Sequence, residues 1–470
     1  MNIFFIFPTF LVLISKFCYS LAAYTCPQSI AINPPANNSN AWTYPNNWNE
    51  SLSAPDYEAG QSCLWTINVP NKMFAFLTIK AITDSMSRLT VTDSTDYVTT
   101  LKNTTTEPFY LMSPSFTINL QAGRVGVLGM KVIWYRMSSG TPTSRNVHTN
   151  SMPLALLSGD FDNSTVIQSD TQVSLLVTYP NWYFDISTFE KYTSFRCLYQ
   201  LLVSNKNLVS SGKYLTLYSL LPGMDLGNFI IIQDYEDVRN FDSYRAIICV
   251  MPDRCPVLLD ASNGTVAAIF YTNLFFIKEL TMSTSNQLSV YNNFATDVNK
   301  LADYSYSNIM GRIPQKFSGK FTTFVLDKDV VIMQFVSTAS AAGWSSAVNG
   351  RRGFFASPNF GLNATNQNFA DQVCSSNMLK ISYTVEKDGI VGQSELTLTI
   401  TSKNKVVLKN VYNSSNLPRA PVHALGDSIS VKYESNDCIS TGPFVSFGFD
   451  KSSVTKRIFI PIILTIWTFL

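Results

Sequence analysis

Histidine is almost absent: His148 and His423 are the only two among 470 residues. They stand far apart, which leaves little scope for a Ser/His/Asp relay. No Cys-x-x-Cys spacing occurs, so the chain offers no ligand set for a zinc site. Charge is scarce as well. Charged residues make up 14% and the net charge is +2, so there is no basic field to hold phosphates, and no nucleic-acid partner is expected. No long segment keeps a 3.6-residue apolar period, which argues against long helices. Gly343-Trp344-Ser345-Ser346-Ala347 has the look of a nucleophile elbow but lacks the strand-to-helix setting that motif needs, and is expected to be a loop. Asp234 and Glu236 could do acid/base work only across a cleft, and strand-end solvation is the expected role. No enzymatic activity, metal or cofactor is expected.

What is abundant points to strands. Apolar residues reach 46%, with 32 Phe and 22 Tyr, against a background rich in Ser, Thr and Asn. That mixture favours pleated, half-buried segments and turns. The length allows about two to four domains.

The most informative stretch is Cys63-Leu64-Trp65-Thr66-Ile67-Asn68-Val69-Pro70-Asn71-Lys72. Its odd positions place a cysteine, a tryptophan and two branched aliphatics on one face of a strand. Pro70-Asn71-Lys72 then turns the chain into a second apolar run, 73–79. Residues 197–206 echo this stretch, sharing Cys-Leu, an aromatic, aliphatics at alternate positions and Asn-Lys. Tyr-Pro-Asn lies upstream of both, at Tyr44-Pro45-Asn46 and Tyr179-Pro180-Asn181. The echo predicts an internal duplication, with Leu89-Thr90-Val91-Thr92-Asp93 matched to Ile230-Ile231-Ile232-Gln233-Asp234. The expected domains are 24–137, a diverged copy at 155–275, and a third sandwich region over 285–448. A weak copy within that region is expected at 354–438, where Leu379, Ile381, Tyr383 and Val385 alternate with polar residues. Arg351-Arg352 could be a processing site, but a solvated turn is the expected reading.

Both ends read as targeting segments. Residues 3–14 form the apolar core of a signal peptide over 1–20, with small residues around Ser20, Ala22 and Ala23. The apolar tail 458–470 is too short to span a bilayer as a helix and suits a GPI-attachment signal over 453–470, with Ser452 as the expected attachment residue. The membrane would then be met through a lipid, on the outer face of the cell. Seven Asn-x-Ser/Thr sequons fit an exported chain: Asn37, Asn49, Asn103, Asn163, Asn263, Asn363 and Asn413. Removal of the signal takes Cys18 and leaves seven cysteines. Cys26 and Cys63 are expected to pair, as no other cysteine lies in the first domain, and Cys374 is expected to pair with Cys438. Among Cys197, Cys249 and Cys255 one is left over, and a bond from Cys197 to Cys249 or Cys255 is expected ahead of a Cys249–Cys255 link.

Cys26, Tyr44-Pro45-Asn46-Asn47-Trp48, Cys63-x-Trp65-x-Ile67-x-x-Pro70 and Leu89-x-Val91-x-Asp93 together resemble a CUB domain. They resemble more closely the CUB-like domain of nematode secreted proteins. The resemblance implies an all-β fold of tandem, jelly-roll-type antiparallel β-sandwiches. It also implies an extracellular protein of innate defence or stress response at an epithelial surface, with a glycan or protein ligand. Many CUB domains bind calcium near a second disulfide that the first domain here lacks, so Asp84 and Asp93 are read as turn residues. Trp42, Tyr44 and Trp48 could stack on a sugar, although their recurrence with the Tyr-Pro-Asn motif favours a structural role.

Overall fold

The computed structural model describes residues 23–36, 41–94, 96–101, 109–124, 126–136, 143–157, 164–177, 186–190, 194–197, 207–219, 229–247, 249, 254–365, 367–387 and 389–451. The expected signal peptide, the attachment signal and Ser452 lie outside them, as do residues 198–206. The fold is nearly all-β. The described α-helix Ala339–Ala342 is a single turn, capped by the Thr338 hydroxyl and ended by Gly343 at φ 71°. The chain divides into two compact units, residues 1–140 with 192–197, and the remainder.

In the first unit the alternation in 63–69 is realised as read. Cys63, Trp65, Ile67 and Val69 are at most 2% exposed, while Leu64, Thr66 and Asn68 are only partly covered. The strand Ser62–Asn68 lies second in a sheet ordered Ile30–Ile32, Ser62–Asn68, Ser115–Gln121, Arg88–Thr92 and Val98–Leu101. The facing sheet runs Ala41–Tyr44, Gly126–Arg136, Met73–Ile82 and Phe109–Met112. Trp65, Phe116 and Ile118 from the first meet Leu77, Ile79, Met130 and Trp134 from the second. The Trp134 indole donates to the Asn68 carbonyl at 2.9 Å, joining the two sheets where a buried N–H would otherwise be orphaned.

The second unit repeats this topology twice. One sandwich pairs Thr143–Val147, Ser164–Ser169, Tyr214–Ser219 and Ile186–Glu190 against Leu154–Leu157, Phe229–Asp234, Val173–Val177 and Leu208–Val209. The next pairs Ser243–Ile247, Val266–Tyr271, Phe321–Leu326, Gln287–Asn292 and Lys300–Ser305 against Cys255–Asp260, Val330–Val336, Leu274–Met282 and Gln315–Ser318. In all three sandwiches the first strand runs parallel to its neighbour.

Tandem repetition is therefore present, but the expected boundaries and register are corrected. Residues 155–275 are shared between two sandwiches, and a complete copy occupies 243–336. By position in the sheet, the counterparts of Ser62–Asn68 are Ser164–Ser169 and Val266–Tyr271, not a segment starting at Cys197. Phe229–Asp234 corresponds to Gly126–Arg136, not to Leu89–Asp93. Alternating apolar strands match one another in many registers, so shared aliphatics cannot identify equivalent strands. Pairing order can.

The region expected to hold a weak copy at 354–438 is a different structure. Seven strands form one sheet in the order Arg352–Ala356, Phe444–Asp450, Phe369–Lys387, Val422–Glu434, Glu395–Ser402 and Lys405–Tyr412, with Ser346–Ala347 beside Phe369–Lys387. The pairing of Phe369–Lys387 with Val422–Glu434 breaks register between Cys374 and Leu379, a bulge that bends the longest strand.

Within the second unit the modules are packed by apolar surface. Leu176, Ile231 and Val238 meet Tyr244, Ala267, Ile269 and Phe321 between the two sandwiches. Phe276 and Val336 of the third sandwich join the core of the C-terminal sheet around Trp344, Phe355 and Phe447. Asn292 donates its amide to the carbonyls of Pro358 and Phe360, each at 3.0 Å.

Arg351 lies in the same seam and is no solvated turn. It is 2% exposed. Its guanidinium donates to the carbonyls of Gly311 (3.1 Å), Pro314 and Arg352. Its planar cation lies 5.2 Å from the Trp344 ring centroid and 5.9 Å from that of Phe447. No carboxylate pairs with it among the described residues, and burial lowers its pKa to about 10. Carbonyl dipoles and aromatic faces replace a counter-ion. Arg351→Met should lower stability by about 2–4 kcal/mol, because the Gly311 and Pro314 carbonyls lose their donor inside the seam. Lysine should not rescue it, since one ammonium cannot reproduce the fork. Thermal unfolding reads this, and a wild-type midpoint for Arg351→Met would refute it.

Candidate functional site

The aromatic group of the first domain is built inward. Trp48 is 5% exposed, and its indole sits against Gly129, where a Cβ would approach within 2.3 Å of Cε2. It has no free face for a sugar. Tyr44 packs on Trp65 with centroids 4.9 Å apart, and burial, with a contribution from Tyr24, pushes its phenol up to about 12. Trp42 is partly covered against the same core. Asp84 accepts the Met86 and Ser87 amides, each at 2.7 Å, and Asp93 accepts that of Tyr97 at 3.0 Å. Both are Asx turns. Among the described residues no group of three His, Cys, Asp or Glu side chains is arranged to hold a metal.

Sequon residues Asn49, Asn263, Asn363 and Asn413 are exposed. Asn37, Asn103 and Asn163 lie outside the described residues. In two sequons the serine hydroxyl and amide both turn back onto the asparagine side chain, Ser51 on Asn49 and Ser415 on Asn413.

The cysteines pair differently from expectation beyond the first domain. Cys26 is bonded to Cys63 with Cα atoms 5.7 Å apart. Cys255 is bonded to Cys249, not to Cys197. These two border one short loop from Ser243–Ile247 to Cys255–Asp260, which brings their Cα atoms within 5.2 Å. The Cys197 side chain lies outside what the structure describes. Cys374 and Cys438 are free thiols, not a pair. Cys374 sits opposite Ser428, whereas Cys438 follows the far end of the strand Val422–Glu434. At the usual strand rise of ~3.3 Å per residue, the six steps from Ser428 to Glu434 span about 20 Å. Bonded cysteines need Cα atoms within about 7 Å.

The acid/base candidates are engaged locally. Asp234 is fully buried and accepts the Thr171 amide and hydroxyl and the Glu236 amide. Glu236 pairs with Arg239 at 2.9 Å. His148 holds Asp170 at 3.0 Å on the surface, but the Ser151 hydroxyl donates to the His148 backbone carbonyl instead of reaching the ring. Trp344, in the elbow-like segment, is buried and donates to Asp371, and Ser346 is in a strand. One carboxyl nearby is perturbed. Burial, opposed by the Asn150 amide and reinforced by Asp234, Glu236 and Asp170, raises Asp237 to about 6.

Sequence reading missed a cleft of about 780 Å³ between the third sandwich and the C-terminal sheet. Its floor carries Ser382, Thr384 and Ser446 on neighbouring strands, with Thr384 directly opposite Ser446. Lys300, Asp303 and Arg312 line one wall. Phe354, stacked on Phe444 at 5.0 Å, borders it. A second hollow of about 440 Å³ adjoins through Glu386, which lines both. No local motif announces this site, because its walls come from separate segments spread between Asp297 and Gly448.

Two measurements follow. The raised Asp237 binds a proton more tightly folded than unfolded, so its contribution to stability is fully present below about pH 4 and is lost as pH rises through about 6. Asp237→Asn should therefore raise the melting temperature at pH 7.5 more than at pH 4.5, and an equal change at both would contradict the assignment. Alkylation of the native protein followed by mass spectrometry should label Cys374 and Cys438 and spare Cys26, Cys63, Cys249 and Cys255. A Cys374–Cys438 peptide would overturn the free-thiol assignment.

Comparison with known proteins follows the sandwich boundaries. The model of the CUB-like domain matches residues 21–138, and that of a domain of unknown function (DUF7591) matches residues 236–338. These are the first and third sandwiches. No curated protein matches the chain. Among solved structures, the CUB1-EGF-CUB2 domains of rat MASP-1 are similar at 9% identity, covering 44% of this chain and 99% of that one, with a TM-score of 0.19. The extracellular region of zebrafish Gpr126/Adgrg6 is also 9% identical, covering 75% of this chain and 62% of that one, with a TM-score of 0.19. Neither likeness carries an argument about function at such scores. The N-terminal disulfide-bonded sandwich is thus similar to CUB-like domains, and the copy at 243–336 corresponds to a family with no assigned role.

Proposed function

We propose that the chain is a non-enzymatic, GPI-anchored extracellular glycoprotein that serves recognition in innate defence or stress at an epithelial surface. The observation that carries this reading is the joint placement of disulfides and sequons. Cys26–Cys63 and Cys249–Cys255 close two of the sandwiches, and disulfides persist in oxidising compartments. Exposed Asn49, Asn263, Asn363 and Asn413 leave room for glycans on both units. The CUB-like match agrees with an extracellular setting.

The membrane partner in this reading is a lipid added near Ser452 after the tail is removed. Phosphatidylinositol-specific phospholipase C should release the protein from intact cells, and deletion of 458–470 should send it to the medium. Retention in both experiments would exclude the anchor.

A further inference from the structure

We infer that the cleft between the third sandwich and the C-terminal sheet binds a neutral oligosaccharide. This rests on the reading of the chain as an extracellular recognition protein, and it moves the binding site away from the buried aromatic group at Trp48.

The cleft has the size of a small-ligand site, about 780 Å³, with a further 440 Å³ beyond Glu386. Two adjoining hollows fit an extended chain of rings better than a single compact ligand. The walls are held apart by a packed seam. Arg351 bonds the Gly311 and Pro314 carbonyls, Asn292 reaches Pro358 and Phe360, and Lys316 pairs with Asp371 at 2.9 Å. The opening is therefore preformed, which limits the entropy lost on binding.

The chemistry of the lining selects the ligand class. Both signs line it, and most of the charge is already paired: Lys300 with Asp303 at 3.5 Å and Arg352 with Asp450 at 2.7 Å, which leaves Arg312 beside Asp297 and Glu386. Such a lining attracts neither an anion nor a cation as a whole. Several of its polar groups are unengaged: among the described residues, the Ser382, Thr384 and Ser446 hydroxyls and the Glu386 carboxylate have no side-chain hydrogen bond or ion pair. Hydroxyls donate and accept, Arg312 only donates, and Glu386 only accepts. A ligand that satisfies all of them must itself donate and accept at closely spaced points while remaining uncharged, as sugar hydroxyls do. The partly exposed Phe354 ring supplies an apolar face at the same border for the C–H side of a sugar ring.

The test uses the purified full-chain glycoprotein on an array of neutral oligosaccharides ending in mannose, galactose, glucose or N-acetylglucosamine. At least one is expected to bind. Thr384→Val and Arg312→Gln should each weaken that binding about tenfold, the equivalent of one lost hydrogen bond in a desolvated site, with unchanged melting temperatures. Trp42→Ala, in the first unit, should bind as wild type. A flat array overturns the inference, as does wild-type affinity in both cleft variants, or loss of binding only in Trp42→Ala. Phospholipase release from cells reads the anchored extracellular role independently, so that reading can stand if the cleft fails.

Discussion

The strand Val266–Tyr271 buries both of its faces, and the second unit is organised around that constraint. Val266, Ala268 and Phe270 point into the third sandwich, whereas Ala267 and Ile269 point out of it toward Leu176 and Ile231 of the second. A sheet in an ordinary sandwich keeps one wet face. Here the outer face is covered by another sandwich, so the third module cannot lose its neighbour without exposing apolar surface. Its other sheet contributes Phe276 and Val336 to the C-terminal core. The third sandwich is therefore the hub of the unit, and its boundaries at 243–336 follow from what it must cover.

The seam on its far side adds buried polar contacts to this apolar packing. Arg351, Gln315 and Asn292 are nearly fully buried and bond backbone carbonyls across it. Gln315 also accepts the Phe354 amide, which closes the free edge of the strand Arg352–Ala356. Buried amide and guanidinium groups of this kind fix a register that apolar contact alone would leave free to slide. The cleft exists because the seam holds two modules in contact along one line and leaves them apart beside it.

Much of the architecture was legible in particular residues. Cys63, Trp65, Ile67 and Val69 showed their buried face by alternation, and Cys26 was their cysteine's only local partner. Leu379, Ile381 and Tyr383 were likewise recognisable as a half-buried strand. The apolar run Val266-Ala267-Ala268-Ile269-Phe270-Tyr271 was legible as a strand, and its lack of alternation was the available sign of burial on both faces. The expected boundary at 275 falls just after the third of the nine strands in 243–336, which displaces the later boundary as well. The echo at 197–206 misled because Cys-Leu and Asn-Lys are local identities, whereas equivalence between strands is set by their hydrogen-bonded neighbours.

By itself, the sequence determined the all-β class, the inward face of strands such as 63–69, and the bond between Cys26 and Cys63. These depend on periodicity, proximity along the chain or polarity, all of which are local. Only the tertiary structure decided that Cys249 bonds Cys255, that Cys374 and Cys438 stand apart, that Trp48 is enclosed by Gly129, and that Arg351 is buried in a seam. Each depends on which strand lies beside which, and that pairing arises from long-range burial of matching faces. The cleft at Ser382, Thr384 and Arg312 belongs to the second group, since its walls come from two modules, the third sandwich and the C-terminal sheet, that lie apart in the chain.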